Sequence, residues 1–167
     1  MEDLTAELGI GKPSLYAAFG NKRALFELAL DRYAAVARAN VEKAMAEPRA
    51  EDAARRFLLE YVDVPSEYPR GCMLVQGALA CSRDAGDVPA AVAERRRVTE
   101  QLITQRLVRA QKEGDLPPDA RPADLAKYLA TVAQGLAVQA TGGATPAQLR
   151  RVANVALGAW PGRRAGR

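Results

Sequence analysis

The chain has no histidine, and among its 167 residues it has only three phenylalanines, one tryptophan and two cysteines. Without an imidazole, the commonest general base and metal ligand are missing. Cys72 and Cys81 stand nine positions apart with no partners to complete a zinc site, and neither CxxC nor HExxH occurs. No glycine-rich phosphate loop follows a strand, so the residues offer no catalytic group, no metal site and no cofactor. Apolar runs stay short of the roughly 18 residues a membrane span needs, and no leader-like segment opens the chain. Two thiols without a secretion signal suit the reducing cytoplasm.

Strand-like alternation of β-branched residues is also missing. Apolar residues make up 49% of the chain but aromatics only 5%, and alanine is abundant, as in closely packed helices. An all-α chain is expected. The formal charge is +4, but residues 1–46 hold six basic and six acidic side chains, so total charge does not itself point to nucleic acid. The local pattern does, because residues 10–26 carry Lys12, Lys22 and Arg23 and no acid. Phosphate contacts need cations and helix N-termini at particular points.

Residues 4–33 pack three helix boundaries into a short stretch. Gly9-Ile10-Gly11 ends a first helix, since glycine tolerates the positive φ of a sharp turn. Pro13 suits the first turn of a second, which Gly20 ends after about two turns. Asn21 is a good N-cap for a third. So short a helix cannot stabilise itself and needs a scaffold. Leu4, Leu8, Ile10, Leu15, Phe19, Leu25 and Phe26 offer an apolar seam, leaving Lys12, Ser14, Tyr16 and Ala17 for the outer face. That is a helix-turn-helix layout, although spacing alone equally allows an irregular connector in a bundle.

Residues 10–25, IGKPSLYAAFGNKRAL, resemble the recognition helix and following turn of the tetracycline-repressor (TetR) family of bacterial regulators. The pattern shared with that family is an aliphatic residue, a small cap, Pro13, Ser14, Leu15, Tyr16, Phe19, a turn, then Lys22 and Leu25. The resemblance implies an N-terminal helix-turn-helix joined to a helical ligand-binding and dimerisation bundle. It implies double-stranded DNA, a small-molecule effector and a second copy of the chain as partners, with DNA contacts from Lys12, Ser14, Tyr16, Ala17 and Lys22. Tyr16 and Lys22 would hold phosphates, while Lys12 and Ala17 would lie near bases. Members of the family begin with one more helix, so a truncated head is expected. A helical module with impaired DNA binding is the alternative to a homodimeric, ligand-responsive repressor of a palindromic operator.

The expected domains are 1–46, a helix-turn-helix region with its connecting helix; 47–161, the bundle; and 162–167, a disordered basic tail with Arg163, Arg164 and Arg167. Along the connecting helix, Leu25, Leu28, Ala29 and Val36 suggest one buried stripe. Pro48 ends it. A helix from Ala50 turns Phe57, Leu58, Tyr61 and Val62 inward, and Pro65 and Pro69 bracket a loop. Residues 71–82 are apolar or small on every side and suit the centre of a body. Asp87-Val88-Pro89 caps a long helix to about Lys112, whose Glu94-Arg95-Arg96-Arg97 run reads as a solvated face. Two last helices start at Pro122 and at a Thr145-Pro146-Ala147-Gln148 capping box.

By the resemblance, the effector pocket lies between the middle helices, with Phe57, Tyr61, Cys72, Met73, Gln76 and Leu102 as candidate lining. A Gly-Cys segment at Cys72 looks like one that recurs in a branch of the family sensing electrophiles or metal ions. The last hairpin carries Leu125, Leu129, Val132, Leu136, Leu149, Val152, Ala156 and Trp160. Its residues suit either the closing layer of a bundle or, as the resemblance implies, a dimer interface.

Overall fold

The computed structural model describes residues 2–63, 72–79 and 88–161. Among them are eight helices and no strand: α1 Glu2–Leu8, α2 Lys12–Phe19, α3 Lys22–Met45, α4 Ala50–Asp63, α5 Met73–Leu79, α6 Val88–Lys112, α7 Pro122–Thr141 and α8 Pro146–Gly158. The loop of Pro65 and Pro69, the outer ends of the 71–82 segment, Cys81 and the arginine tail fall outside these residues.

The chain divides into two compact units, residues 1–36 and 37–167. The division falls inside α3, ten residues before the 46/47 boundary read from sequence. In the first unit α1 ends at Gly9 (φ 63°), where two bonds close the helix: Gly9 N–H donates to Ala6 O (3.3 Å) and Ile10 N–H to Thr5 O (3.2 Å). This pairing satisfies carbonyls that a helix end leaves without partners, and it requires a left-handed residue that glycine adopts without strain. Asn21 caps α3 by accepting Ala24 N–H at 2.9 Å.

In the second unit the core joins the end of α3 to α4, α6, α7 and α8, through Val41, Phe57, Leu58, Ile103, Leu107, Leu129, Leu136, Leu149, Leu157 and Trp160. The α8 capping box forms in full: Thr145 Oγ1 accepts Gln148 N–H, and the Gln148 side chain accepts Thr145 N–H.

Two side-chain expectations need correction. The stripe of Leu25, Leu28, Ala29 and Val36 is not buried on α3, for Leu28 and Val36 are more than half exposed. The inward face is Leu30, Val41, Ala44 and Met45, with Ala34 and Ala37 partly covered between them. It is offset by one residue, about 100° of helix rotation. Large apolar residues stand on both faces of α3, and the face that buries is the one with Leu30, Val41 and Met45. The arginine run is not wholly solvated either. Arg97 pairs with Glu94 in water, but Arg96 donates to the carbonyls of Leu74 (2.5 Å) and Val75 (3.1 Å), fastening α6 to α5.

Candidate nucleic-acid interface

The eight residues of α2 divide sharply by exposure. Leu15 is completely buried and is the helix's one inward anchor, while Lys12, Ser14, Tyr16 and Ala17 are exposed. Pro13 supplies the fixed φ of the first turn, and Gly11, extended at φ −76° and ψ 155°, leads in without a side-chain cap. The amide groups of that first turn are therefore left for an outside acceptor. Lys22 opens α3, exposed and without an ion-pair partner among the described residues.

Lys12 Nζ lies 2.8 Å from Glu2 Oε1, with both side chains largely in solvent. A pair so exposed contributes little and exchanges readily. The Glu2 carboxylate occupies the lysine as a phosphate oxygen would. Arg23, the third local cation, is engaged by Glu27 at 2.9 Å along α3. All five residues expected at DNA thus lie on the surface of the same unit, and two of the three nearby cations carry an internal carboxylate. Beside them Leu4, Leu8, Ile10 and Phe19 of the expected seam remain more than a third exposed.

In the second unit the candidate pocket residues are divided among α4, α5 and α6, with Cys72 just before α5. Phe57 is buried and meets the Tyr61 ring edge-on, with centroids 5.4 Å apart. Burial first, then the neighbouring Cys72, push the Tyr61 hydroxyl well above its ordinary range, against a lowering by Arg96, so it stays neutral. Cys72 is a buried free thiol. Leu102 packs on the core, Met73 is partly covered, and Gln76 donates to Thr141 Oγ1 at 3.3 Å. A groove of about 470 Å³ runs instead along Glu47, Asp52, Arg55, Arg56, Leu59 and Glu60, none of them among those six. Among the described residues no three metal-ligating side chains converge.

The hairpin residues divide as well. Leu129, Leu136, Leu149, Ala156 and Trp160 belong to the protomer's own core, with Leu125 and Val132 partly buried against it. They face inward because α7 and α8 close over α4 and α6. Of the eight, only Val152 is freely exposed, and it stands with Tyr128, Val138 and Val155 on the outer faces of the two helices. Sequence periodicity found the inner stripe, since that is where the large apolar residues recur. The outer faces have fewer of them and left no comparable signal.

A short helix anchored by one leucine and offering basic and hydroxyl side chains, in a chain that also holds a larger helical unit, defines a DNA-binding regulator of the helix-turn-helix class. Comparison with known proteins narrows the class. Residues 1–29 match the model for bacterial regulatory proteins of the tetR family, and residues 50–156 match that for the tetracyclin repressor-like C-terminal domain. The chain belongs to the tetR family of bacterial transcriptional regulators, whose work is regulation rather than catalysis. It is 29% identical over 165 residues to the HTH-type transcriptional repressor ComR of Escherichia coli K12, covering 96% of this chain and 79% of ComR. A cysteine-substituted CifR, solved with a 26 bp operator duplex, is 35% identical with a TM-score of 0.88, covering 95% of this chain and 84% of CifR. A TetR regulator from Rhodococcus sp. RHA1 is 39% identical with a TM-score of 0.71, covering 96% and 87%. No helix among the described residues is long and apolar enough to cross a membrane.

Proposed function

We propose that this protein is a cytoplasmic transcriptional repressor that binds a palindromic operator as a homodimer through α2 and releases it when a small molecule occupies the second unit. The observation that carries the reading is the two-sidedness of α2, Leu15 fully buried and Lys12, Ser14, Tyr16 and Ala17 exposed. A helix so arranged can enter a major groove without disturbing its own anchor. Tyr16 and Lys22 hold phosphates, which fix register without reading sequence, while Lys12 and Ser14 reach base edges and Ala17 offers a methyl contact. CifR, at 35% identity, was solved on operator DNA.

Support for the second copy comes from the outer faces of α7 and α8. Tyr128, Val138, Val152 and Val155 are exposed there, Val155 at 77%. Gly135 and Gly158 lie among them, and a Cβ at either would meet nothing inside the protomer. Gly135, inside α7, costs about 1 kcal/mol relative to alanine, a cost that close packing of a second helix on this face offsets. Two-fold pairing turns one head into two and explains a palindromic site.

The test is retardation and footprinting on a promoter-proximal palindrome. The native protein should protect two half-sites about one helical turn apart. Tyr16→Ala should weaken binding to every sequence alike, by about 1.5 kcal/mol for a lost bond to a charged group, and leave the dimer intact. Retardation by Tyr16→Ala equal to that of the native protein would remove α2 from the interface.

A further inference from the structure

The elbow between α3 and α4, residues 46–49, is held by two side chains from far along the chain. Arg106 of α6 is buried at 4% exposure. Its Nε donates to Met45 O at 3.1 Å, and its Nη2 donates to Glu47 O at 3.0 Å and Pro48 O at 2.9 Å. Asp115, 4.0 Å from Nη2, accepts the Ala50 N–H on Oδ2 at 2.5 Å. The arginine thus takes the last carbonyl of α3 and two carbonyls of the turn, and the aspartate takes the amide that opens α4. Each charge matches the helix pole it meets. Asp115 reaches its place because Gly114, at φ 79°, turns the chain, with Asp115 N–H donating to Ala110 O at 2.8 Å.

Stability alone is a poor reason for this arrangement. A buried cation is costly to desolvate, and Arg106 Nη1 has no partner among the described residues. What the guanidinium provides is geometry, since one rigid fork fixes the last carbonyl of α3 and two carbonyls of the turn that follows. We propose that Arg106 and Asp115 are positioning residues that set the direction in which the last turns of α3, residues 37–45, leave the elbow. The same helix α3 begins at Lys22, proposed above to hold a phosphate, so operator affinity is the functional readout of the clamp. The consequence for operator affinity rests on the function proposed above; the clamp itself does not.

The experiment is hydrogen exchange on the intact homodimer, paired with operator affinity, for Arg106→Met, Arg106→Lys and Asp115→Asn. In Arg106→Met, amides in residues 41–53 should exchange about tenfold faster while those of α7 and α8 keep their rates, and operator affinity should fall about tenfold. Arg106→Lys, which keeps the charge without the fork, should fall between. Asp115→Asn retains an acceptor for Ala50 N–H and should stay within about threefold of the native protein. Leu149→Ala is the control for a purely structural role, lowering the unfolding midpoint without changing operator affinity in the folded protein.

Native-like exchange over residues 41–53 in Arg106→Met would overturn the proposal. So would faster exchange with operator affinity unchanged. If Arg106→Met does not fold, the same two readings on Arg106→Lys decide. Should the native protein retard no duplex DNA, the proposed function fails by itself, and the exchange rates alone judge the clamp.

Discussion

The two units are stabilised on different scales. Residues 1–36 contain two fully buried side chains, Leu15 and Leu30, and leave Leu4, Leu8, Ile10, Phe19 and Leu28 at least a third exposed. The second unit closes five helical segments around one continuous core, from Val41 to Trp160. Since burial of apolar surface is the main favourable term in folding, the second unit sets the stability of the molecule. The first unit is organised by turn chemistry, through Gly9, Pro13, Gly20 and Asn21, more than by burial. The lesson is a division of labour: the body supplies the free energy, and the head supplies an exposed polar surface.

The largest effect should come from the body. Leu129→Ala removes a side chain with 1% exposure at the centre of the core and should cost about 3–4 kcal/mol, read as a shift in the denaturant midpoint of the whole protein. Leu15→Ala, although completely buried, should leave the main unfolding transition within about 1 kcal/mol of native while abolishing operator binding. An equal midpoint shift from both substitutions would erase the distinction between the units. Next, Thr145→Ala removes the α8 capping box and should cost about 1 kcal/mol in the same assay. Gly135→Ala should stabilise the isolated protomer by up to about 1 kcal/mol, since its Cβ has open space. Gly135→Leu should instead prevent pairing, visible as a halved mass in solution.

The smallest change concerns Glu2. Glu2→Gln frees Lys12 from its carboxylate and should leave stability unaltered while tightening operator binding a few-fold, a gain of about 0.5 kcal/mol in a titration at low salt. Weaker binding would mean that Glu2 helps to place Lys12 rather than competing for it.

Element boundaries were largely legible in the sequence because they rest on local chemistry. Proline at Pro13, Pro122 and Pro146, the Asn21 cap, the Thr145 capping box and the glycine closures act over a few residues and do not depend on the fold. Facing was less legible. On α3 both faces carry large apolar residues, Leu25, Leu28 and Val36 on one and Leu30, Val41 and Met45 on the other, so spacing alone does not choose between them. On α7 and α8 the large residues did mark the covered side, but that side belongs to the protomer itself. The exposed residues of α2 stood out because Leu15 and Phe19 frame them; the Glu2 carboxylate on Lys12 did not, since helix spacing says nothing of pairs ten residues apart. Arg106 had no signal at all. Within a helix of mixed charge it looks like any solvated arginine, and its partners lie 58–61 residues away.

The presentation of α2 to duplex DNA is tested most directly by the salt dependence of operator binding in Lys22→Ala. Removing one phosphate contact per head should make the plot of log affinity against log salt shallower by about one unit for each protomer, with weaker binding at low salt. A slope and affinity identical to those of the native protein would contradict the account.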